Sequence, residues 1–282
     1  MKLDIDDNLL KVIDLCIERQ KKGFDNVLII DGKERIGKST LAKTIAYYYS
    51  WKLKTCTFNL ENVHFNPEEM LKTAIETKDS VIVWDEAAFG GLAIQWQNKI
   101  QQKLNSMLMV TGKYHHFYIF IIPSFFRLNR YLALDRSLAL IHVYSPDLIT
   151  RGLFTLFNER QKIWIYNNNR KSEMYSDPSF RGRFTLKNTE KILDEKLYEA
   201  KKDKAIKDYL RDTRDAPMLL RLKWFAAKEM KMKEAMELFG ISRSTYFDWK
   251  NIEIAREFSP QSGVESIVIK EGENAEEEGN ND

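Results

Sequence analysis

The sequence predicts a doubly wound, mainly parallel α/β sheet followed by a small α-helical domain. Three stretches of the 282-residue chain carry that prediction. Asn26 to Thr40 passes from an apolar run, Val27 to Ile30, through a loop bounded by Gly32 and Gly37 into helix-forming residues. Ser80 to Glu86 is a second short apolar run, closed by two carboxylates, Asp85 and Glu86. His116 to Ser124 is the most apolar run of all and reads as a central strand. Short continuous apolar runs separated by helical stretches read as parallel strands buried on both faces.

The first stretch has a spacing with its own chemistry. Gly32, Gly37, Lys38 and Ser39 complete G-x-x-x-x-G-K-[ST] between a strand and a helix, the context this pattern requires. A polyphosphate needs many N–H donors aimed at one place. A loop without side-chain bulk at Gly32 and Gly37 can wrap its amides around phosphates, and the helix N-terminus adds positive potential. The expected contacts are Gly32, Lys33, Glu34, Arg35, Ile36, Gly37, Lys38, Ser39 and Thr40. Lys38 reads as a solvent-facing point charge that reaches the β- and γ-phosphates, and the Ser39 hydroxyl as a ligand of Mg²⁺. A glycine turn ahead of an ordinary helix has the same spelling, and the flanking strand and helix favour nucleotide binding. The segment resembles the P-loop NTPases, with this loop as their Walker A motif, which implies ATP and Mg²⁺ as ligands.

Composition sets the frame. No window is long and apolar enough to span a bilayer. The N-terminus carries Asp4, Asp6 and Asp7 and does not read as a secretory signal. Cys16 and Cys56, far apart in sequence, suggest neither a disulfide framework nor a zinc site and fit a reducing cytosol, so a cytoplasmic location is expected. His64, His115, His116 and His142 lack metal-ligand spacing. Net charge is +3, yet Glu271 to Asp282 holds acids and no Lys or Arg, so the body is more basic than the total. That is compatible with nucleic-acid binding, and equally with a solvated surface and a solubilising tail.

Taken in order, Asp7 to Lys22 is an amphipathic helix with Leu9, Leu10, Ile13, Cys16 and Ile17 on one face. Lys54 to Phe58 is a candidate second strand. Asn66 caps a helix that has Pro67 in its first turn and runs to about Thr77. Asp85 and Glu86 then emerge from the carboxyl end of their strand, where ligands bind in open α/β sheets. The pair resembles Walker B: Asp85 would hold Mg²⁺ and Glu86 would polarise the attacking water. A strand ending in a charged turn is the bland alternative. Phe89-Gly-Gly91 reads as a turn, Gln95 to Thr111 as a helix, and Leu138 to Tyr144 as a fifth strand.

The order of motifs and the Asp-Glu pair resemble the RecA-like additional-strand (ASCE) ATPases. Within them the likeness is to the FtsK–HerA kind, including viral packaging ATPases and the zonular-occludens-toxin-type ATPases of filamentous phages. It covers roughly Val27 to Ser145. It implies that Ser124, at the end of the fourth strand, senses the γ-phosphate, although many such relatives have glutamine there. Arg127, Arg130 and Arg136 follow. Arg136 first, and then Arg127, would act as a finger on a neighbouring subunit's nucleotide in a homo-oligomer.

Leu153 to Phe157 and Ile163 to Tyr166 read as two strands, joined at Asn158-Glu-Arg-Gln161 in a hairpin. Asn167 to Arg183 interleaves Arg170, Lys171, Arg181 and Arg183 with Tyr175 and Phe180, a mixture that suits nucleic acid as well as an ordinary surface loop. Thr189 to Arg211 is a long charged helix. Beyond Pro217, Met218 to Met230 and Met232 to Phe239 are helical, and Gly240 ends the second. Ser242 then caps a third helix. Helix, glycine turn and short helix resemble a helix-turn-helix. That fold would aim Arg243, Ser244, Thr245 and Tyr246 at DNA, with Lys250 near the backbone. A plain helical bundle fits the same pattern.

The expected domains are 1–186, the P-loop ATPase; 187–215, a charged linker helix; 216–256, helix-turn-helix-like; and 257–282, a disordered acidic tail. The leading function is an ATPase acting on DNA, in translocation, packaging or mobilisation of viral or mobile-element DNA. An ATP-controlled DNA-binding regulator is the alternative. A nucleoside or nucleotide kinase fits less well, because the Asp85-Glu86 pair marks the hydrolytic branch.

Overall fold

Apolar runs become interior strands when helices cover both faces of the sheet they form. The structure, a computed structural model, describes residues 5–85, 94–185, 191–212 and 230–251. The first half of the chain forms α1 (Asp7–Lys21), β1 (Asn26–Asp31), α2 (Lys38–Leu53), β2 (Val63–His64), α3 (Pro67–Glu76), β3 (Val81–Asp85), α4 (Ile94–Thr111), β4 (Phe117–Ile121) and β5 (Ala139–Tyr144). After it come β6 (Leu153–Phe157), α5 (Glu159–Asn168), β7 (Phe180–Arg183), α6 (Glu195–Asp212), α7 (Met232–Phe239) and α8 (Arg243–Asn251). The chain divides into two compact units, Met1–Asp212 and Thr213–Asp282.

The first unit is a mixed α/β domain. Its seven-stranded sheet has the order β2-β3-β4-β1-β5-β6-β7. The first five of these are parallel, and β6 and β7 add an antiparallel edge. Every residue of β1, β3 and β4 is buried. Side chains alternate across the sheet. Val27, Ile29, Ile82, Trp84, Tyr118 and Phe120 share one core with Met70 of α3 and Met107 of α4. The other face receives α2, whose Tyr49 stacks on Phe117 at 4.3 Å between ring centroids. Each fully buried large apolar side chain contributes about 1.5–3 kcal/mol, so this double-sided core fixes the register of the site at its upper edge.

Local signals explain the helices. The Asp6 carboxylate caps α1 by accepting from the Asn8 N–H at 2.9 Å, and Leu9, Ile13, Cys16 and Ile17 are buried. Asn66 caps α3 by accepting from Glu68 N at 2.8 Å.

Two expectations are corrected. Lys54 to Phe58 is not a strand: Lys54 ends α2 in a left-handed conformation, φ 64°, and the outermost parallel strand is the two-residue β2 farther on. Ile163 to Tyr166 is helical, and no hairpin forms there. Asn158 and Gln161 make a reciprocal capping box, each side chain accepting from the other's backbone N–H at 3.1 Å, which starts α5. The antiparallel partner of β6 is instead β7, drawn from the basic and aromatic stretch. Lys162, on the buried face of α5, donates to Ser137 Oγ at 2.6 Å and to the Ser137 carbonyl.

The second unit contains α7 and α8. Ala235, Leu238, Phe239 and Trp249 are buried, and Phe239 and Trp249 lie 5.2 Å apart. Gly240 links the helices at φ 62°, and Ser242 Oγ accepts from Thr245 N at 3.2 Å as the cap. The expected turn at Phe89 to Gly91, the expected helix Met218 to Met230 apart from its last residue, and the expected acidic tail lie outside the described residues; Met230 itself is not helical. No described helix is long and apolar enough to cross a membrane.

Candidate nucleotide site

The glycine-bounded loop joins the carboxyl end of β1 to the N-terminus of α2. Its shape is enforced sterically. Gly32 has φ 134°, and a Cβ there would lie 2.1 Å from the Val143 carbonyl oxygen on β5. Gly37 has φ 106° and leads directly into α2, whose first amides face the loop. Arg35 is also left-handed, at φ 60°. Lys33, Glu34, Arg35 and Ile36 form the crown of the loop, and Ile36 is buried.

Lys38 is not the solvent-facing charge expected from sequence. It is 6% exposed, and its ammonium donates to the Gly32 carbonyl at 2.6 Å and the Lys33 carbonyl at 2.5 Å. Burial pulls its pKa below the ordinary lysine value, while Asp85 and Asp31 pull it back up. The loop thus folds around its own cation.

Ser39 and Asp85 meet across the sheet. Ser39 Oγ donates to Asp85 Oδ2 at 2.7 Å, although β4 lies between β1 and β3. The carboxylate is fully buried. One hydroxyl and one carboxylate beside a glycine-bounded loop fit Mg²⁺, a hard ion that takes one or two carboxylates and completes its shell with phosphate oxygens and water. Glu86 lies outside the described residues.

A cavity of about 590 Å³ opens above the loop. Glu34, Arg35, Gly37, Lys38, Ser39 and Thr40 line it, with Lys43 one turn farther along α2. Its other wall was not foreseen. Glu195, Tyr198, Glu199 and Lys202 come from α6, and Arg151 from the segment before β6. The helix expected to connect two domains therefore packs, by its first turns, on the candidate site. The sequence hint was Tyr198, an aromatic residue in the first turn of a helix rich in Lys and Glu.

A second unforeseen cluster lies under the loop. Asp31, fully buried at the end of β1, accepts from the Phe125 N–H at 2.9 Å, pairs with His142 Nδ1 at 2.9 Å and accepts from the Tyr175 hydroxyl. Tyr175 stacks on His142 at 3.6 Å. Burial and the Asp31 charge push its phenol far above the ordinary range. Three chain segments are thus tied to the residue that starts the loop.

The remaining expected residues are not among those lining this cavity. Ser124 follows β4 and donates to Glu173 Oε2 at 3.3 Å. Arg127 is exposed. Arg136 is paired with Asp25, the residue before β1, at the strand's far end from Gly32, and it also donates to the Leu108 carbonyl at 3.4 Å. A six-residue strand puts that pair roughly 20 Å from the loop. In the second unit, Arg243, Ser244 and Lys250 are exposed and Thr245 is half-buried. Tyr246 is 5% exposed, and its hydroxyl donates to the Met230 carbonyl at 3.1 Å, so in this fold it packs inward.

No protein-family model matches the chain. No curated protein matches it either. Among solved structures, it is similar to B204, the DNA-packaging ATPase from Sulfolobus turreted icosahedral virus. The TM-score is 0.35 and the identity 13%, over 50% of this chain and 95% of that one. A likeness at that level assigns no residue a role.

Proposed function

We propose that this chain is an ATP-hydrolysing P-loop enzyme that acts on DNA as an oligomer. The observation that carries the reading is the 2.7 Å contact between Ser39 Oγ and Asp85 Oδ2. It brings a hydroxyl of the glycine-bounded loop and the carboxylate of a separate stretch together, which supports reading them as one Mg²⁺–nucleotide site. The strand β4 between β1 and β3 supports placement among the additional-strand ATPases.

In this reading the loop amides and the helix α2 N-terminus bind the β- and γ-phosphates. Lys38 would leave the loop carbonyls for phosphate oxygens, and Ser39 and Asp85 would hold Mg²⁺, which would supply charge neutralisation on the phosphates. Glu86 accepts a proton from the attacking water. Ser124 senses the γ-phosphate. Of the proposed fingers, Arg127 is exposed, whereas Arg136 would first have to leave Asp25. DNA contact is assigned to Arg243, Ser244, Thr245 and Lys250 at the start and end of α8, while the inward packing of Tyr246 makes it a support for that helix. The division into an ATPase domain, a helix-turn-helix-like domain and an acidic tail is part of the same proposal.

The test is an ATPase assay with and without duplex and single-stranded DNA, alongside mass measurement with ATP. DNA-stimulated hydrolysis, larger assemblies with ATP, and lost ATP binding in Lys38→Ala are the expected results. Equal ATP affinity in Lys38→Ala and the parent would remove the P-loop reading.

A further inference from the structure

Tyr198 on α6 is joined to the candidate metal site, and nothing in the two motifs accounts for it. Its side chain is 2% exposed. Its hydroxyl donates to Asp85 Oδ2, the same oxygen that accepts from Ser39 Oγ. Burial first, and then the Asp85 charge, push its phenol well above the ordinary range.

The phenol is delivered by a fastened helix. Phe65 meets its ring edge-on at 5.4 Å, and the Lys43 ammonium lies 4.3 Å from the ring centroid. Lys43 is itself paired with Glu195 at 2.5 Å. One turn beyond Tyr198, Lys201 donates to the carbonyls of Leu60 at 3.0 Å and Val63 at 2.7 Å. Rotation of α6 would break all of these together.

We propose that Tyr198 is a positioning residue for Asp85, holding the carboxylate in the orientation that binds the Mg²⁺–nucleotide complex. This rests on the ATPase reading and deepens it. The terminal torsion of an aspartate is broad, so a lone carboxylate samples many orientations. Ser39 can donate its proton to Asp85 and still turn a lone pair toward a cation. Tyr198 adds a donor to the same oxygen from a different element, and hydrogen bonds to an ionised acceptor are among the stronger ones. The orientation is thereby set before ligand arrives. An ordinary buried tyrosine that merely finds an acceptor would show the same contact, and the two accounts differ in what the metal ion feels.

The experiment measures binding by the full-length chain of a fluorescent ATP analogue, in EDTA and across a Mg²⁺ titration. The parent should bind more tightly as Mg²⁺ rises. Tyr198→Phe keeps the ring against Phe65 and Lys43. It should raise the Mg²⁺ midpoint by about tenfold, the equivalent of one charge-assisted hydrogen bond, and leave affinity in EDTA unchanged within about twofold. In an Asp85→Asn background, Tyr198→Phe should no longer shift the midpoint. Replacing Tyr198 by 3-fluorotyrosine, which keeps the shape and makes a better donor, should move it the opposite way and serves if the phenylalanine variant does not fold. Equal midpoints in Tyr198→Phe and the parent overturn the proposal. So does an equal loss of affinity with and without Mg²⁺, which would make Tyr198 a wall of the cavity only. A parent that binds the analogue under neither condition removes the ATPase reading, and the proposal with it.

Discussion

The Lys43 ammonium on α2 lies 2.5 Å from the Glu195 carboxylate on α6, 152 residues later in the chain. The pair is unequal: the Lys43 side chain is 2% exposed and that of Glu195 48%. Losing Glu195 strands a buried cation, whereas losing Lys43 leaves a carboxylate that water can reach. Glu195→Gln should therefore cost more, about 2 kcal/mol against about 1 kcal/mol or less for Lys43→Met. The double variant should lie close to Lys43→Met alone. Urea unfolding of the four proteins measures this, and equal costs for the two single variants would contradict it.

Gly32 is fixed by backbone geometry. With φ at 134° and the Val143 carbonyl 2.1 Å from any added Cβ, Gly32→Ala must displace β5 or flatten the loop. A loss of at least about 2 kcal/mol in stability is expected, together with loss of nucleotide binding. Gly240→Ala meets open space and bears only the strain of its left-handed φ of 62°, so it should lose less, about 1 kcal/mol. Thermal unfolding of the two variants side by side checks the contrast.

Glu86→Gln keeps the side chain's shape and removes its charge. Asp85, Ser39 and Lys38 remain, so ATP affinity should stay within a few-fold while hydrolysis falls by about 10²–10⁴. A motor trapped in this way should hold DNA without moving it, whereas a regulator should keep its output. Hydrolysis at the parental rate would show that Glu86 is not the general base.

The first unit ends at Asp212, so a chain cut there retains α6 and the whole cavity wall. That truncation should keep basal ATPase activity and lose DNA affinity. A cut at 186 should weaken Mg²⁺-dependent ATP binding, because α6, with Tyr198 and the far wall of the cavity, goes with it. Unchanged DNA affinity in the 1–212 chain, by fluorescence anisotropy, would relocate the DNA contact to the first unit.

His64 gives a pH signature. Its ring is 3% exposed, neither nitrogen has a hydrogen-bond partner among the described residues, and burial lowers its pKa to about 3, with the Lys201 charge adding to the shift. Between that value and the ordinary 6.5 the unfolded chain binds the extra proton and the native chain does not. The associated stability is fully present above pH 6.5 and is lost as pH falls toward 3, at a slope approaching about 1.4 kcal/mol per pH unit. His64→Leu should flatten the acid limb of a stability–pH curve and cost little at pH 8. An unchanged acid limb would mean that His64 is not what titrates.

The glycine-bounded loop, the Asp85 strand and the strands at 117–121 and 139–144 were legible in the sequence because each is coded locally. Continuous apolar runs need burial on both faces, glycines mark backbone that other residues resist, and Asn66 announces a helix start. Ile163 to Tyr166 was misread because a short apolar run suits strand and helix alike; the capping box of Asn158 and Gln161 was written in the sequence and decides between them. Which residues close the site was not legible. Lys43 and Glu195, Tyr198 and Asp85, and Asp31 and Tyr175 are each joined by hydrogen bonds over more than a hundred positions. Such pairs have no period and no spacing, since a hydrogen bond depends on where two atoms end up and not on how much chain separates them. The sequence by itself determined the glycine-bounded loop, the parallel strands and the presence of a hydroxyl at Ser39 and a carboxylate at Asp85. Only the tertiary structure decided that a charged helix near residue 200 would become the far wall of the cavity, because its polar and aromatic side chains find their partners on α2, β2 and β3 once the sheet has assembled.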